Sequence, residues 1–250
     1  MDLGIAGRVA IVTASSRGLG RAAALALAGE GCNLVVCSRG GAALRETTDQ
    51  LLALGVQAAA VELDLADEDA AQSLVDAAID RFGRLDILLA NIGGPPSGDP
   101  FDLPEAAYKS TIENNVLSQV RLVRAAVAAM RENQWGRICL VTSTGLREPL
   151  PGHGLSAFRL GLWGWAKSVS HELISQGITI NAVCPGLHRT ERLKEPGFTA
   201  GAISKFSHLA GSIGEPEDFG AVVAFLCSER ARWLNGVALN VDGGTTLAAL

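Results

Sequence analysis

Residues Arg8 to Gly31 read RVAIVTASSRGLGRAAALALAGEG. The opening run, Arg8 to Thr13, is apolar and β-branched, with Gly7 before it and a small polar turn after it. That is the pattern of a strand buried on both faces. The closing run, RAAALALAGEG, is rich in Ala and Leu and ends at Gly29 or Gly31, which is how a helix with a glycine stop reads. Between them lies Thr13-Ala14-Ser15-Ser16-Arg17-Gly18-Leu19-Gly20. A strand, a glycine turn and a helix N-terminus in that order make an anion site. The glycines let the backbone approach a pyrophosphate, and the helix end supplies free N–H groups. A Gly-x-Gly alone is an ordinary tight turn; between the first strand and first helix of a βαβ unit it points to a dinucleotide.

Outward from this stretch the same alternation continues. Strands are predicted at Asn33–Cys37, Gln57–Leu63, Asp86–Ala90, Arg137–Thr142, Ile178–Val183 and Val237–Val241. Helices are predicted at Ala42–Leu54, Asp67–Phe82, Pro104–Glu132, Ser156–Gln176 and Pro216–Ser228. Strand and helix in alternation predict an α/β fold: a doubly wound parallel sheet of about seven strands, with helices on both faces and right-handed crossovers. No internal repeat, linker or low-complexity block interrupts residues 1–250, so one domain is expected. Its irregular stretch near 186–215 is expected to form a substrate loop or lid.

Composition narrows the function. With 48% hydrophobic and 19% charged residues, a packed core is expected rather than disorder. A net charge of −5 without a basic run argues against nucleic acid or an anionic membrane surface as partner. No apolar run is long enough to span a bilayer, and the N-terminus lacks the features of a signal peptide. Cys32, Cys37, Cys139, Cys184 and Cys227 are odd in number and show no metal-ligand spacing. They read as reduced, mostly buried thiols of a cytoplasmic protein, and no metal is expected.

The turn and the motifs that follow it resemble those of the short-chain dehydrogenase/reductase family, over nearly the whole chain. The family's turn reads T-G-x-x-x-G-x-G. Here Ala14 replaces the first glycine, which is harmless if its φ is negative and strains the turn otherwise. The resemblance implies a Rossmann-type fold and assigns residues. Asp64-Leu65 after the third strand matches the adenine contact, and Asn91-Ile92-Gly93 matches the family's N-A-G. Asn115 matches the Asn of the long helix, and Ser143 the serine ending the fifth strand. NAVCPG (Asn181–Gly186), with Pro185, Gly186 and Thr190, matches N-x-x-x-P-G-x-x-x-T. Thr13, Ser15, Ser16, Arg17, Gly18, Leu19 and Gly20 complete the cofactor set. Gly93-Gly94-Pro95-Pro96 is similar to a branch near the ketoacyl-carrier-protein reductases that has an imperfect catalytic tetrad. Two helices, 104–132 and 156–176, resemble those at family interfaces, implying a homodimer or homotetramer.

Charge indicates which cofactor. An acidic residue ending the second strand would bind a ribose 2′-hydroxyl and repel a 2′-phosphate. Ser38-Arg39 stands there instead, with Arg17 in the turn. Guanidinium groups suit a phosphate, so NADP(H) is expected over NAD(H).

At the reaction centre the resemblance fails. The family carries a Tyr about a dozen residues after the Ser, and a Lys four residues later. The Tyr moves the proton; the Lys lowers its pKa and binds the nicotinamide ribose. Counting from Ser143, and back from NAVCPG, those places fall on Leu155 and Arg159. Trp163 with Lys167 has the right gap but lies two turns further on. Tyr108, the only tyrosine, sits at the start of a helix, where packing is the natural role. Leu155 cannot supply the ~10²–10⁴-fold that general acid–base catalysis gives. Arg159 does not titrate usefully, but it can contact ribose or stabilise an oxyanion. His153 in PGHGL is the nearest group able to move a proton, and His188 is a weaker candidate. Leu187, Leu193, Phe198, Phe206 and Leu209 suggest an apolar lid, with Arg189, Arg192 and Lys194 as anchors for an acidic group or as plain surface charge. Three functions follow: an atypical NADP(H)-dependent oxidoreductase acting on a carbonyl or alcohol; a nucleotide-binding sensor or scaffold without turnover; or a lyase or isomerase in the same pocket.

Overall fold

A computed structural model describes residues 1–96, 98–149, 154–194 and 212–248. Seven strands form one parallel sheet in the order β3-β2-β1-β4-β5-β6-β7. They are β1 (Val9–Val12), β2 (Asn33–Ser38), β3 (Ala58–Glu62), β4 (Ile87–Ala90), β5 (Gly136–Val141), β6 (Ile178–Pro185) and β7 (Ala238–Val241). The order reverses between β1 and β4, which pair directly through Ala10–Ile87, Ile11–Leu88 and Val12–Leu89. At such a switch point the connections leave in opposite directions and open a crevice at the strands' carboxyl ends.

The helices are α1 (Gly18–Gly29), α2 (Gly41–Ala53), α3 (Ala70–Phe82), α4 (Glu105–Ile112), α5 (Ser118–Asn133), α6 (Phe158–Leu173) and α7 (Pro216–Leu226). Alternation along the strands divides the core in two. Ala10, Val12, Leu34, Val36, Ile87 and Leu89 face α1 and α7, joined there by Leu27, Phe219 and Val223. Val9, Ile11, Val35, Leu88, Ile138 and Leu140 face α3, α5 and α6, joined by Leu74, Leu122 and Leu162. A sheet covered on both sides needs apolar residues at every strand position, which explains the uninterrupted VAIV and ILLA runs.

The single long helix expected over 104–132 is two helices joined by a π-helical turn at Glu113–Leu117. One extra residue in the ladder rotates the side chains around it, and Asn115 sits in that turn, buried. Such π-turns concentrate at functional sites. The helix expected over 156–176 narrows to α6, with 3₁₀ turns at Gly154–Ala157 and Ile174–Gln176. Strand β6 extends through Pro185, two residues beyond its expected end.

All five cysteines are free and buried. Burial, the main cause in each case, pushes the Cys32 and Cys37 thiols up to about 12, so both stay protonated and inert. No helix among the described residues is long and apolar enough to cross a membrane.

Candidate active site

The glycine turn is tied to the sheet by its own polar side chains. Thr13 Oγ1 donates to the Asn91 carbonyl at 2.6 Å and accepts from Asn91 N at 2.8 Å, joining the ends of β1 and β4. Ser15 Oγ donates to the Cys37 carbonyl at 3.2 Å and accepts from Cys37 N at 3.1 Å, joining the turn to β2. The Ser15 hydroxyl, expected at the cofactor, is therefore engaged in holding the turn. Leu65, also expected at the cofactor, is partly buried against the core, and Asp64 Oδ1 accepts from Ala66 N at 3.0 Å.

Beyond Ser15 the turn opens. Arg17 caps α1 with extended backbone and makes no side-chain cap bond, so the first N–H groups of the helix are left to a ligand. Gly20 admits no other residue: a Cβ there would lie 2.3 Å from the Ala14 carbonyl oxygen. Gly18 has φ +58°, and Thr190 stands across from it. Ser16 is half-buried, and Ser38 Oγ donates to the Gly40 carbonyl at 3.0 Å. Arg17 and Arg39 are both exposed at this end of the sheet. A strand-end cradle with free N–H donors, room for backbone approach and flanking guanidiniums fits a dinucleotide phosphate.

Ala14 has φ +48°, so the condition for a harmless substitution is not met. An L-residue in the left-handed region costs roughly 1–2 kcal/mol, and glycine's extra freedom when unfolded returns about 0.5–1 of that. Ala14→Gly is thus expected to stabilise the protein by roughly 0.5–1 kcal/mol, raising Tm by about 2–3 °C in a thermal melt.

Next to the cradle, at the carboxyl ends of β4, β5 and β6, lies a cavity of about 270 Å³. Asn91, Leu19 and Thr190 form its nucleotide side, and Pro185 and Gly186 form part of its floor. Gly186 packs against Asp242, where a Cβ would come within 2.6 Å. Gly93, just outside, is exposed with open space around it. Ser143, at the end of β5, turns its hydroxyl into the cavity wall, where the buried Oγ has no hydrogen-bond partner. Arg159, the second residue of α6, is also on the wall. Its Nη1 donates to the Thr142 carbonyl at 2.9 Å and its Nη2 to Asn115 Oδ1 at 3.1 Å. The π-turn thus holds Asn115 against α6 through its bond with Arg159.

Leu155 is 1% exposed and is not among the residues lining the cavity; Ser156 and Ala157 form the wall at this point. The position counted for the proton donor therefore holds a buried side chain. Lys167 donates to the Gly236 carbonyl at 2.7 Å and Trp163 packs against Leu146, so neither belongs to the site. Tyr108 is edge-on to Phe158 and its hydroxyl donates to the Pro100 carbonyl. His153, Phe198, Phe206 and Leu209 lie outside the described residues. His188 is buried on the cavity wall, its Nδ1 3.2 Å from the Gly186 carbonyl and its ring edge-on to Phe219. Leu187, Leu193 and Arg192 also line the cavity, whereas Arg189 and Lys194 pair with Glu215 and Glu191 outside it. Sequence reasoning missed Ser156 and Glu148, both cavity-lining. Their loop position next to Ser143 was the only signal.

The comparisons agree with this geometry. A family model described as enoyl-(acyl carrier protein) reductase matches residues 13–246. A 3-oxoacyl-(acyl-carrier-protein) reductase of Synechocystis sp. (strain ATCC 27184 / PCC 6803 / Kazusa) is 32% identical over 243 residues, covering 96% of this chain and 97% of that protein. The FabG reductase of the same description from Escherichia coli (strain K12) is 32% identical over 243 residues, covering 95% and 97%. Among solved structures, the L-sorbose reductase of Gluconobacter frateurii, complexed with NADPH and L-sorbose, superposes with a TM-score of 0.92 at 29% identity, covering 99% of this chain and 100% of that one. A 7α-hydroxysteroid dehydrogenase complexed with NADH and 7-oxo glycochenodeoxycholic acid gives 0.92 at 29% identity, covering 97% and 96%. With its reversing parallel sheet, its glycine turn and a family match over nearly all its length, the chain belongs to the short-chain dehydrogenase/reductase family.

Proposed function

We propose that the protein is an atypical NADP(H)-dependent oxidoreductase that interconverts a carbonyl and its alcohol. One observation carries the reading: beside the dinucleotide cradle, Ser143 and Arg159 line one cavity, and Ser143 Oγ and Arg159 Nε are each buried without a hydrogen-bond partner. Unused buried donors cost about 1–3 kcal/mol each, and a carbonyl oxygen that gains negative charge repays them. When bound, the reduced nicotinamide supplies the hydride. Ser143 donates to the substrate oxygen and polarises it. Arg159, held by Asn115 and Thr142, sets a fixed positive charge where the alkoxide forms. Leu155 offers no proton, so water at the mouth protonates the alkoxide. In this reading the chain assembles as a homodimer or homotetramer in which the partly exposed Ile112, Leu117 and Leu160 are covered.

The cofactor is NADP(H) rather than NAD(H), through Arg39 and Arg17. NADPH-bound relatives such as the L-sorbose reductase support this reading. Arg39→Ala is expected to weaken NADPH binding by about 10-fold or more, the worth of one charge-assisted phosphate contact, and to leave NADH binding unchanged. Nucleotide fluorescence titrations measure both. Equal weakening of the two cofactors would refute the assignment.

Leu155 favours a second reading, a nucleotide-binding sensor or scaffold without turnover. Titration with NADPH followed by turnover across a panel of ketones separates the two. Binding with turnover supports the enzyme, binding without turnover supports the sensor, and no binding removes both.

A further inference from the structure

Arg159 has an uncompensated charge. Its side chain is 7% exposed, and a cation so far removed from water is normally matched by a carboxylate. Its partners, the Thr142 carbonyl and the Asn115 amide oxygen, are both neutral. A guanidinium has five N–H donors, and Nε donates to nothing. Among the described residues no ion pair reaches it. Glu148, the carboxylate on the cavity wall, accepts from Leu247 N at 2.9 Å.

A second guanidinium lines the same cavity. Arg192 lies flat against Gly94, where a Cβ would come within 2.3 Å of its Nη2. Only glycine lets it approach that wall. Burial, and next the nearby Arg192 charge, hold the Arg159 pKa down to about 10, so it remains a cation at neutral pH. The protein therefore places a second guanidinium at the cavity that holds Arg159. A neutral ketone answers the Ser143 hydroxyl but leaves the buried charge unmatched until its oxygen becomes an alkoxide. A carboxylate matches the charge throughout, with the planar geometry a guanidinium favours.

We propose that this cavity selects substrates that carry a carboxylate close to the reacting carbonyl, namely small 2- or 3-oxo acids, and that Arg159 anchors the carboxylate. The inference rests on the oxidoreductase reading for the reaction but not for the binding. A volume of about 270 Å³ shared with the nicotinamide side leaves room for a small acid.

The test uses malonate and its neutral isostere malonamide as probes, by calorimetry on the cofactor-free and the NADPH-loaded protein. Malonate is expected to bind at least about 10-fold more tightly than malonamide, the worth of one hydrogen bond to a charged group. Arg159→Met is expected to bring the two within about twofold, and Arg159→Lys, a point charge without the fork, to give an intermediate preference. NADPH affinity, read by fluorescence, is expected to hold within about threefold in both variants. Equal binding of diacid and diamide by the wild type overturns the proposal. So does a loss of NADPH affinity in Arg159→Met and Arg159→Lys that matches the loss of malonate, because the guanidinium then serves the ribose. If Arg159→Met does not fold, the Arg159→Lys comparison decides alone. Failure of the wild type to bind NADPH counts against the oxidoreductase reading only, since the malonate preference is measured on cofactor-free protein as well.

Discussion

Ser143→Ala is expected to lower kcat/KM for a ketone by about 10²–10³-fold, the usual effect of removing one donor aimed at a developing oxyanion. That is roughly 2.7–4 kcal/mol of transition-state stabilisation. The effect is large because little stands behind the serine. Where several groups act as a unit, losing one hides the contribution of the rest. Here no tyrosine lines the cavity, and Arg159 is the donor that the proposed reaction sets beside the serine. The NADPH dissociation constant should change less than about twofold, because Ser143 Oγ makes no bond to the glycine turn and its loss leaves the cradle intact. Ser143→Thr keeps the hydroxyl and should retain most of the activity. Steady-state turnover and nucleotide fluorescence give the two readouts. Unchanged turnover in Ser143→Ala would remove the serine from the chemistry.

The nucleotide half of the site was readable from sequence because its chemistry is backbone chemistry. A strand, a turn with glycine at two places and a helix start fix where N–H groups point, whatever the side chains do. What spacing does not reveal there is side-chain detail: Ser15 uses its hydroxyl to hold the turn to β2, and Leu65 packs its side chain against the core. Ala14 shows the reverse: its departure from glycine was visible, but its φ of +48° depends on the closed turn. At the reaction centre, counting placed Leu155 where the family's tyrosine falls. The structure turns that residue inward and puts Ser156 and Ala157 on the wall, because a 3₁₀ turn, not α-helix, occupies Gly154–Ala157. The four-residue rule for one helical face does not hold across that change of pitch.

The fold was legible for a simpler reason. The central strands β1 and β4 are buried on both faces and read as unbroken apolar runs, and α3 carries its own stop in Gly83, which is left-handed. The π-turn at Glu113–Leu117 was not legible. It places Asn115 on Arg159, a long-range contact between two helices, and nothing local in IENNV demands it. The same limit hid the polar cluster at the opposite, amino-terminal ends of the strands.

That cluster is centred on Asp86, 0% exposed just before β4. Its carboxylate accepts from Val9 N at 2.9 Å, from Arg8 Nη1 at 3.0 Å, and from Arg84 Nε and Nη2 at 2.8 and 2.6 Å. The bond to Asp86 is the main cause that pushes the Arg84 pKa up. Arg8 in turn stacks on Trp135 at 3.9 Å, so one carboxylate ties β1, β4 and the start of β5 together. Removing one partner of a buried ion pair costs about 3–5 kcal/mol, mostly through the charge left behind. Here the arginines are 23% and 38% exposed, so water recovers part of that cost. Val9 N, which is buried, recovers none and loses about 1–3 kcal/mol. Asp86→Ala is therefore expected to destabilise the protein by roughly 3 kcal/mol, a Tm drop of about 6–12 °C at this chain length. Asp86→Asn retains one acceptor for Val9 N and should cost about half as much. Urea unfolding checks the value, with the midpoint falling at constant m. Because the cluster lies at the far end of the sheet from the cavity, folded Asp86→Ala should bind NADPH with wild-type affinity. A cost below about 1 kcal/mol would show that the three strands are held by apolar packing alone.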